Sequence, residues 1–562
     1  MTYPLDNAKQ NAAPPNERGS LGISGKIMCI LDKHVVISRE KDHMLKLLLR
    51  APRARAQLLD ANRQLKALSQ RRRPVRLATA AGIVLALAFH MWAALPAFSS
   101  GPPPLNRTLA GILKKELPRN FAISIQVADL ETGRILMEKN PDLPLIPAST
   151  MKVVTSAAAL SLLKPDFNFV TEVLVAGMRG SSVGNIYLKG RGDPYLVSEQ
   201  LFALTRAVKE EGLREVRGNI IVDDSYFIPG KPLDEQEDLG TRSYHAPYSA
   251  LSLNFNTIRV LVHPAEVSGK AARVEAGPVS EYAVVVGDVK TVKGKRRARV
   301  SVERGTTEKG AESIRIRGTI GVKAPGRRLY VNVTTPSLYT GSVFKEFLLR
   351  EGIRVSGKVI RGKTPGTAVP YLEFKSRPLA LIVYWLNKFS NNFIAEQVSM
   401  AMGAKAHGAP GTREKGISVM RNHLISSGVD EGDFSLTEAS GLSRKNRLSA
   451  SALVRVLQRA AHEFTYSAEF MASMGVAGVD GTLKDRFRGR GVSRRIRAKT
   501  GSLRGITALA GYAQSTDGKI IVFAILINSL KKGTGFIDYG DKIIRRIMKI
   551  PMKEMSVVGG RR

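Results

Sequence analysis

The chain reads as an α+β protein whose sheet is assembled from both ends of the sequence, and three observations carry that reading. Residues 121–140 (FAISIQVADLETGRILMEKN) alternate apolar and polar side chains about a Thr132-Gly133 turn, the pattern of a β-hairpin. Residues 495–499, 506–514 and 519–527 read as three consecutive strands, the last two joined across Asp517-Gly518. Between those ends, helical periodicity runs over residues 379–402, near 412–427 and over 448–474, and residues 538–550 form a closing amphipathic helix. A hairpin first, a meander last and helices between them make one layered domain.

The chain of 562 residues is too long for a single core. Residues 1–43 show no period long enough to form a domain. From 44 to 70, Leu45, Leu48, Leu49, Leu58, Leu59, Leu65 and Leu68 alternate with Lys and Arg, which suggests basic amphipathic helices. RRRPVR at 71–76 then precedes residues 77–98, where His90 is the sole ionisable side chain. At about 1.5 Å per residue this run spans a bilayer core of about 30 Å, and the cationic cluster leaves the N-terminus in the cytoplasm. An uncleaved anchor in the cytoplasmic membrane is favoured. The stretch ALPAFSS at 94–100 resembles a cleavage site, so an exported and cleaved form is the competing reading.

The predicted organisation is a partly disordered, basic cytoplasmic extension over 1–76 and a transmembrane or signal segment over 77–98. The α+β domain follows in two parts, 99–176 and 379–562, with a β-rich insertion at 177–378 between them. Short strands such as NIYLKG, GNIIVDD, TIRVLVH and RLYVNVT, separated by Gly, Asp and Lys turns without a fixed period, mark the insertion.

Composition narrows the function. The net charge of +38 implies affinity for anionic surfaces. No zinc, RNP or helix-turn-helix pattern accompanies basic runs such as KGKRRAR at 293–299, so nucleic acid is not an expected partner; anionic lipid or an acidic wall polymer is. Cys29 is the single cysteine, which excludes an intramolecular disulfide and argues against a cysteine-based metal site.

The chemistry concentrates at PASTMKVVTSAAALSLL, residues 147–163. Ser149 and Lys152 stand three apart at the start of an apolar, Ala-rich helix, so both project from one face of its first turn. A serine hydroxyl is a weak nucleophile, and a lysine becomes its base only if burial and a second cation lower its pKa from about 10.4. Taken alone the spacing is weak, since it recurs at Ser38, Ser342 and Ser529 and a serine there can simply cap the helix. Two further pieces follow in order: Ser390-Asn391-Asn392 in KFSNNFIAEQ, and Lys499-Thr500-Gly501-Ser502 in RAKTGSLRGITALAGY.

The ordered set SxxK, SxN and KTG resembles that of the penicillin-binding proteins. More closely, the chain resembles the low-molecular-mass class C group, the D-alanyl-D-alanine carboxypeptidase/endopeptidase family of the penicillin-binding protein 4 type. Stretches PASTMKVVTSAAAL, GNIIVDDSYF, APYSALSLNFNT, SGLSRKNRLSA, VAGVDGTLKDRF and AKTGSLRGITALAGY carry the likeness over about residues 105–550. The separation of the motif serines, 390 − 149 = 241 residues, leaves room for the inserted domains typical of that group.

The resemblance implies a serine β-lactamase/D,D-peptidase-like transpeptidase fold and a penicillin-sensitive D,D-peptidase. Its substrates would be peptidoglycan stem peptides, and β-lactams its covalent inhibitors. It implies Ser149 as nucleophile, Lys152 as general base, Ser390 as a relay between Lys152 and the leaving amine, and Asn392 as a partner of Lys152 and of the substrate backbone. Lys499 becomes the second cation, which depresses the pKa of Lys152 and attracts the substrate carboxylate. Thr500 and Ser502 bond that carboxylate, Gly501 admits the ligand along its strand, and the backbone N–H groups of Ser149 and Ser502 hold the oxyanion. No cofactor or metal is required. The competing function is a catalytically inactive peptidoglycan-binding envelope scaffold of the same fold.

Two departures stand out. The family usually carries Asp-Gly before SGLSR, whereas this chain has Glu438-Ala439 ahead of Ser440-Gly441. Members that recognise the free amino group of diaminopimelate place an acidic residue before APYSALS, where DEQEDLGTRSYH offers Glu237 or Asp238; an exposed acidic loop explains these two residues equally well.

Overall fold

The computed structural model describes residues 121–228, 241, 243–294, 298–308, 310–529 and 537–549. The basic extension, the apolar segment 77–98, Glu237 and Asp238 lie outside the described residues. Among those described, no helix is long and apolar enough to cross a membrane.

A six-stranded antiparallel sheet joins the two ends of the described chain. Its order is Gly475–Val476, Ile496–Leu503, Ile506–Gln514, Ile520–Ser529, Phe121–Asp129 and Ile135–Lys139. Apolar side chains cover both faces, so the period-two alternation of Ile520–Ser529 sorts two apolar sets rather than apolar from polar. Val522, Ala524 and Leu526 pack on the helical core with Ala508, Ala510 and Tyr512. Ile521, Phe523, Ile525 and Ile527 face the other way, against Ile543, Ile544 and Ile547 of the closing helix Ile537–Ile547. Alanines on the helical side let helix Ala450–His462 lie close on Phe121–Asp129 and Ile520–Ser529, and the almost wholly buried, Ala-rich helix Met151–Leu163 packs among the other helices of that core.

The helical layer continues with Leu379–Lys388, Asn392–His407, Arg413–Ser426, Ala450–His462 and Ser467–Ser473. The unbroken helical pattern expected over 379–402 is in fact two helices. The Asn391 side chain accepts from Ile394 N at 3.1 Å and caps the second one, which forces a break at residues 389–391.

The segment between the two halves of this domain builds a separate core. A five-stranded sheet runs in the order Val359–Arg361, Ile220–Asp223, Asn185–Gly190, Val170–Ala176 and Val369–Lys375. Two three-stranded sheets lie beyond it: Ala283–Val292, Glu312–Gly321 and Arg299–Thr306, and then Arg327–Asn332, Thr257–His263 and Arg273–Gly277. Val170–Ala176 pairs with Asn185–Gly190 and Val369–Lys375, so the inserted sheet begins before residue 177 and the first part of the α+β domain ends ahead of Val170. Helices Ser198–Glu210 and Pro336–Arg350 also belong to it. Tyr195 of the insertion stacks on Trp385 of the helical layer, with ring centroids 3.7 Å apart and planes 6° from parallel.

Candidate active site

Ser149 sits in the single 3-10 turn Ala148–Thr150 that opens into helix Met151–Leu163. Ala148 holds φ = +46°, a left-handed conformation that a residue with a Cβ adopts at a cost. Thr150 secures the turn, its Oγ1 donating to Pro147 O at 2.7 Å. The turn rests on the strand Ile496–Leu503, where a Cβ at Gly501 would fall 2.6 Å from Pro147 O and 3.2 Å from Ala148 Cβ. Gly501 is therefore required by the closeness of the nucleophile's own turn. Gly441, at φ = +80°, meets the same turn from the other side, where a side chain would overlap Ala148 O.

Lys152 is completely buried. Its Nζ contacts Ser149 Oγ at 3.1 Å, donates to Asn392 Oδ1 at 2.7 Å and makes a short hydrogen bond to Ser440 O. An ammonium has three N–H donors, whereas the neutral amine has two and a lone pair. Asn392 and Ser440 take two donors in either state, and the third position faces the serine hydroxyl. That geometry suits a base waiting for the Ser149 proton. Burial pushes the Lys152 amine down to about 8, against the upward pull of the negative charge on the Glu438 and Glu396 carboxyl pair.

Ser390 stands at the break between two helices with φ = +54°. Its Oγ accepts from Lys499 Nζ at 2.8 Å. The family resemblance implies Ser390 as a relay between Lys152 and the leaving amine; the hydrogen bond that holds its hydroxyl here comes from Lys499, toward which the helix break aims it. Asn392, two residues on, does reach Lys152. Lys388, just before the break, is pinned by Asp480 at 2.7 Å.

Lys499 is also completely buried and donates to the neighbouring Thr500 O at 2.8 Å. Burial lowers its pKa well below the usual lysine range, and the charge of Lys152 adds to the fall. Of the two causes expected to lower Lys152, burial and a second cation, burial acts on it, and the repulsion between the two amines falls on Lys499. Thr500 Oγ1 pairs with Thr482 Oγ1 at 2.8 Å, Gly501 is buried, and Ser502 is exposed beside them.

Three residues here were not singled out as site residues. Thr482 supports Thr500, and it lies inside the VDGTL stretch that carries the family likeness. Glu396 and Glu438 are buried carboxyls behind the Ser440 carbonyl. Glu396 follows Asn392 by one helical turn, so the i, i+4 spacing was the available signal. Among the described residues, no group of three or more His, Cys, Asp and Glu side chains could hold a metal ion.

A serine with a buried lysine one turn on, an SxN at a helix break and a KTG strand next to the short edge strand of the sheet define a lysine-assisted serine acyl-transfer centre. This is the architecture of serine D,D-peptidases and β-lactamases. Residues 105–544 match the D-Ala-D-Ala carboxypeptidase 3 (S13) family, and the chain belongs to that family.

It is 32% identical over 443 residues to a D-alanyl-D-alanine carboxypeptidase of Actinomadura sp. (strain R39), covering 75% of this chain and 81% of that protein. A D-alanyl-D-alanine carboxypeptidase DacB of Haemophilus influenzae is 24% identical, with coverage of 75% and 88%. The crystal structure of penicillin-binding protein 4 (dacB) from Haemophilus influenzae superposes with a TM-score of 0.66 at 23% identity, over 78% of this chain and 98% of that one, and so shares the fold.

Proposed function

We propose that the chain is a penicillin-sensitive serine D,D-peptidase that cleaves peptidoglycan stem peptides through an acyl-enzyme on Ser149. The observation that carries this reading is the arrangement at Lys152 Nζ, with two fixed acceptors and the Ser149 hydroxyl at 3.1 Å. As Ser149 Oγ attacks the carbonyl of the penultimate D-alanine, its proton passes to Lys152 Nζ and an O–C bond forms. Backbone N–H groups of Ser149 and Ser502 stabilise the oxyanion. The C–N bond then breaks, and the leaving amine takes the proton that Lys152 received from Ser149, relayed by the Ser390 hydroxyl, which leaves Lys152 neutral for the next step; Lys499 holds Ser390 in place. Water, deprotonated by Lys152, hydrolyses the ester and restores Ser149.

Lys499, Thr500 and Ser502 receive the terminal carboxylate in this reading. A β-lactam enters the same path, but its amine remains tethered after ring opening. Both a terminal D-alanine and a D-alanyl-diaminopimelate cross-link present the required bond. Assay of D-alanine release from a stem pentapeptide and of cross-link cleavage tests the proposal: both activities vanish in Ser149→Ala, and their survival in that variant contradicts it.

The membrane assignment stands on the sequence. We propose that residues 77–98 anchor the chain with the peptidase domain on the extracytoplasmic side, supported by the cationic residues 71–76 before that apolar run. Fractionation tests it: the intact chain sediments with membranes, and recovery of a soluble chain beginning near residue 100 indicates cleavage instead.

A further inference from the structure

The loop that delivers the Ser440 carbonyl to Lys152 is held from behind by two carboxyls. Glu396 Oε1, from the helix Asn392–His407, accepts from Ala439 N at 2.9 Å and from Ser440 N at 2.8 Å. Glu438 Oε2, from the loop itself, accepts from the same Ser440 N at 2.9 Å and makes a short hydrogen bond with Ser440 Oγ. Two carboxyl oxygens thus converge on one N–H. Both side chains are essentially inaccessible to water. Two carboxyls this close in a buried site cannot both be ionised cheaply, and one of them keeps a proton.

The donors around the pair say which one. Glu438 has four: Ser440 N, Ser440 Oγ, Gly441 N at 2.6 Å, and the short contact with Asn446 Nδ2. Glu396 has two, both on Oε1. Donors stabilise the ionised form, so the charge rests on Glu438 and the proton on Glu396. In agreement, burial and then the Glu438 charge push the Glu396 carboxyl well above its ordinary range.

The peptide group between Ser440 and Gly441 links the pair to the base. Its N–H points to Glu438 Oε1 and its C=O to Lys152 Nζ, so a carboxylate and the base bond opposite ends of one peptide dipole. Such an arrangement polarises the carbonyl and strengthens it as an acceptor.

We propose that Glu396 and Glu438 are positioning residues of the peptidase. They act as a one-proton carboxyl pair whose single negative charge, transmitted through the Ser440–Gly441 peptide, sets how readily Lys152 takes and releases a proton. The other charged and titratable groups that act on the pair are Arg413, which opposes the rise at Glu396, and the Tyr248 phenol, which burial and then the negative charge of the pair keep protonated. A second charge behind Ser440 would favour the ammonium further. With none, burial alone would leave a weaker base.

The inference rests on Lys152 serving as the base for Ser149, and the test separates the two. The rate of acylation by benzylpenicillin is measured against pH for the full chain and for the isosteric variants Glu438→Gln and Glu396→Gln. For the unaltered protein the rate rises with an inflection near about pH 8, where Lys152 loses its proton. Glu438→Gln removes the charge that favours the ammonium, so the inflection moves to lower pH by at least about one unit. Glu396→Gln mimics a carboxyl already protonated and leaves the inflection in place.

Equal displacement by both variants would mean two ionised carboxylates. A uniform loss with no displacement in Glu438→Gln would mean a purely structural brace; either result overturns the proposal. Should Glu438→Gln fail to fold, infrared spectroscopy of the unaltered protein against Glu396→Gln decides: a protonated-carboxyl band at neutral pH disappears in the variant, and its absence from the unaltered protein overturns the pair. No adduct on Ser149 would instead remove the catalytic reading, while the infrared result would still report on the pair.

Discussion

The two halves of the active site each bury a lysine, yet they differ in what stands behind it. Lys152 is backed by the Ser440 carbonyl, the Asn392 amide and the Glu396–Glu438 pair. Lys499 is held by the Ser390 hydroxyl and a carbonyl of its own strand, and the charge that acts on it is the repulsive one of Lys152. The half that must exchange a proton carries its counter-charge permanently. The half that lacks one is suited to receive an anion with the substrate, and a bound carboxylate would hold Lys499 in its charged form.

Removing the base is the severest way to break this contrast. Lys152→Ala is expected to slow acylation by benzylpenicillin by roughly 10²–10⁴-fold. Lys152→Arg is expected not to restore it, because a guanidinium does not give up its proton. Acylation in the unaltered enzyme rises with pH: a base whose pKa is lowered to about 8 is mostly protonated at pH 7 and mostly neutral above pH 9. A flat profile across that range would exclude Lys152 as the group that titrates.

Lys499→Ala acts on the other half, and its signature is selective. Its effect falls on peptides ending in a free carboxylate and spares their C-terminal amides, with a loss of about 1.5–3 kcal/mol, or roughly 10–100-fold in kcat/KM. Equal losses on both peptides would show that Lys499 does not bind the carboxylate.

Gly501→Ala probes the seat of the nucleophile. The new Cβ meets Pro147 O at 2.6 Å, so the serine turn or the strand must shift, at about 1–3 kcal/mol of stability, read as a lower Tm together with slower acylation. Thr482→Val is the mildest test. It removes the hydroxyl partner of Thr500 and is expected to cost about 1 kcal/mol in substrate binding, seen as a KM rise of a few-fold.

Much of this molecule could be read from the chain because its patterns are local. The hairpin of residues 121–140 and the three closing strands announce themselves by alternation and by the Thr132-Gly133 and Asp517-Gly518 turns, and the sheet pairs Phe121–Asp129 with Ile520–Ser529. The helix break at 389–391 is hidden because Leu386, Phe389 and Phe393 keep a helical spacing across it; the capping Asn391 is the clue. Helix Ser198–Glu210 was overlooked among strands, although Leu201, Leu204 and Val208 keep a helical spacing and are buried.

The partner of Ser390 depends on which way a single left-handed residue turns, which no spacing reveals. Glu396 and Glu438 lie far apart in sequence, and each alone reads as an ordinary surface acid. Only tertiary packing brings both onto the Ser440 N–H.

The most direct test of the central claim is the intact mass and peptide map of the protein after incubation with benzylpenicillin. The arrangement of Ser149 and Lys152 predicts one penicilloyl group, located on the peptide that contains Ser149 and lost in Ser149→Ala. A folded protein that gains no such mass, or gains it on another residue, would contradict the account.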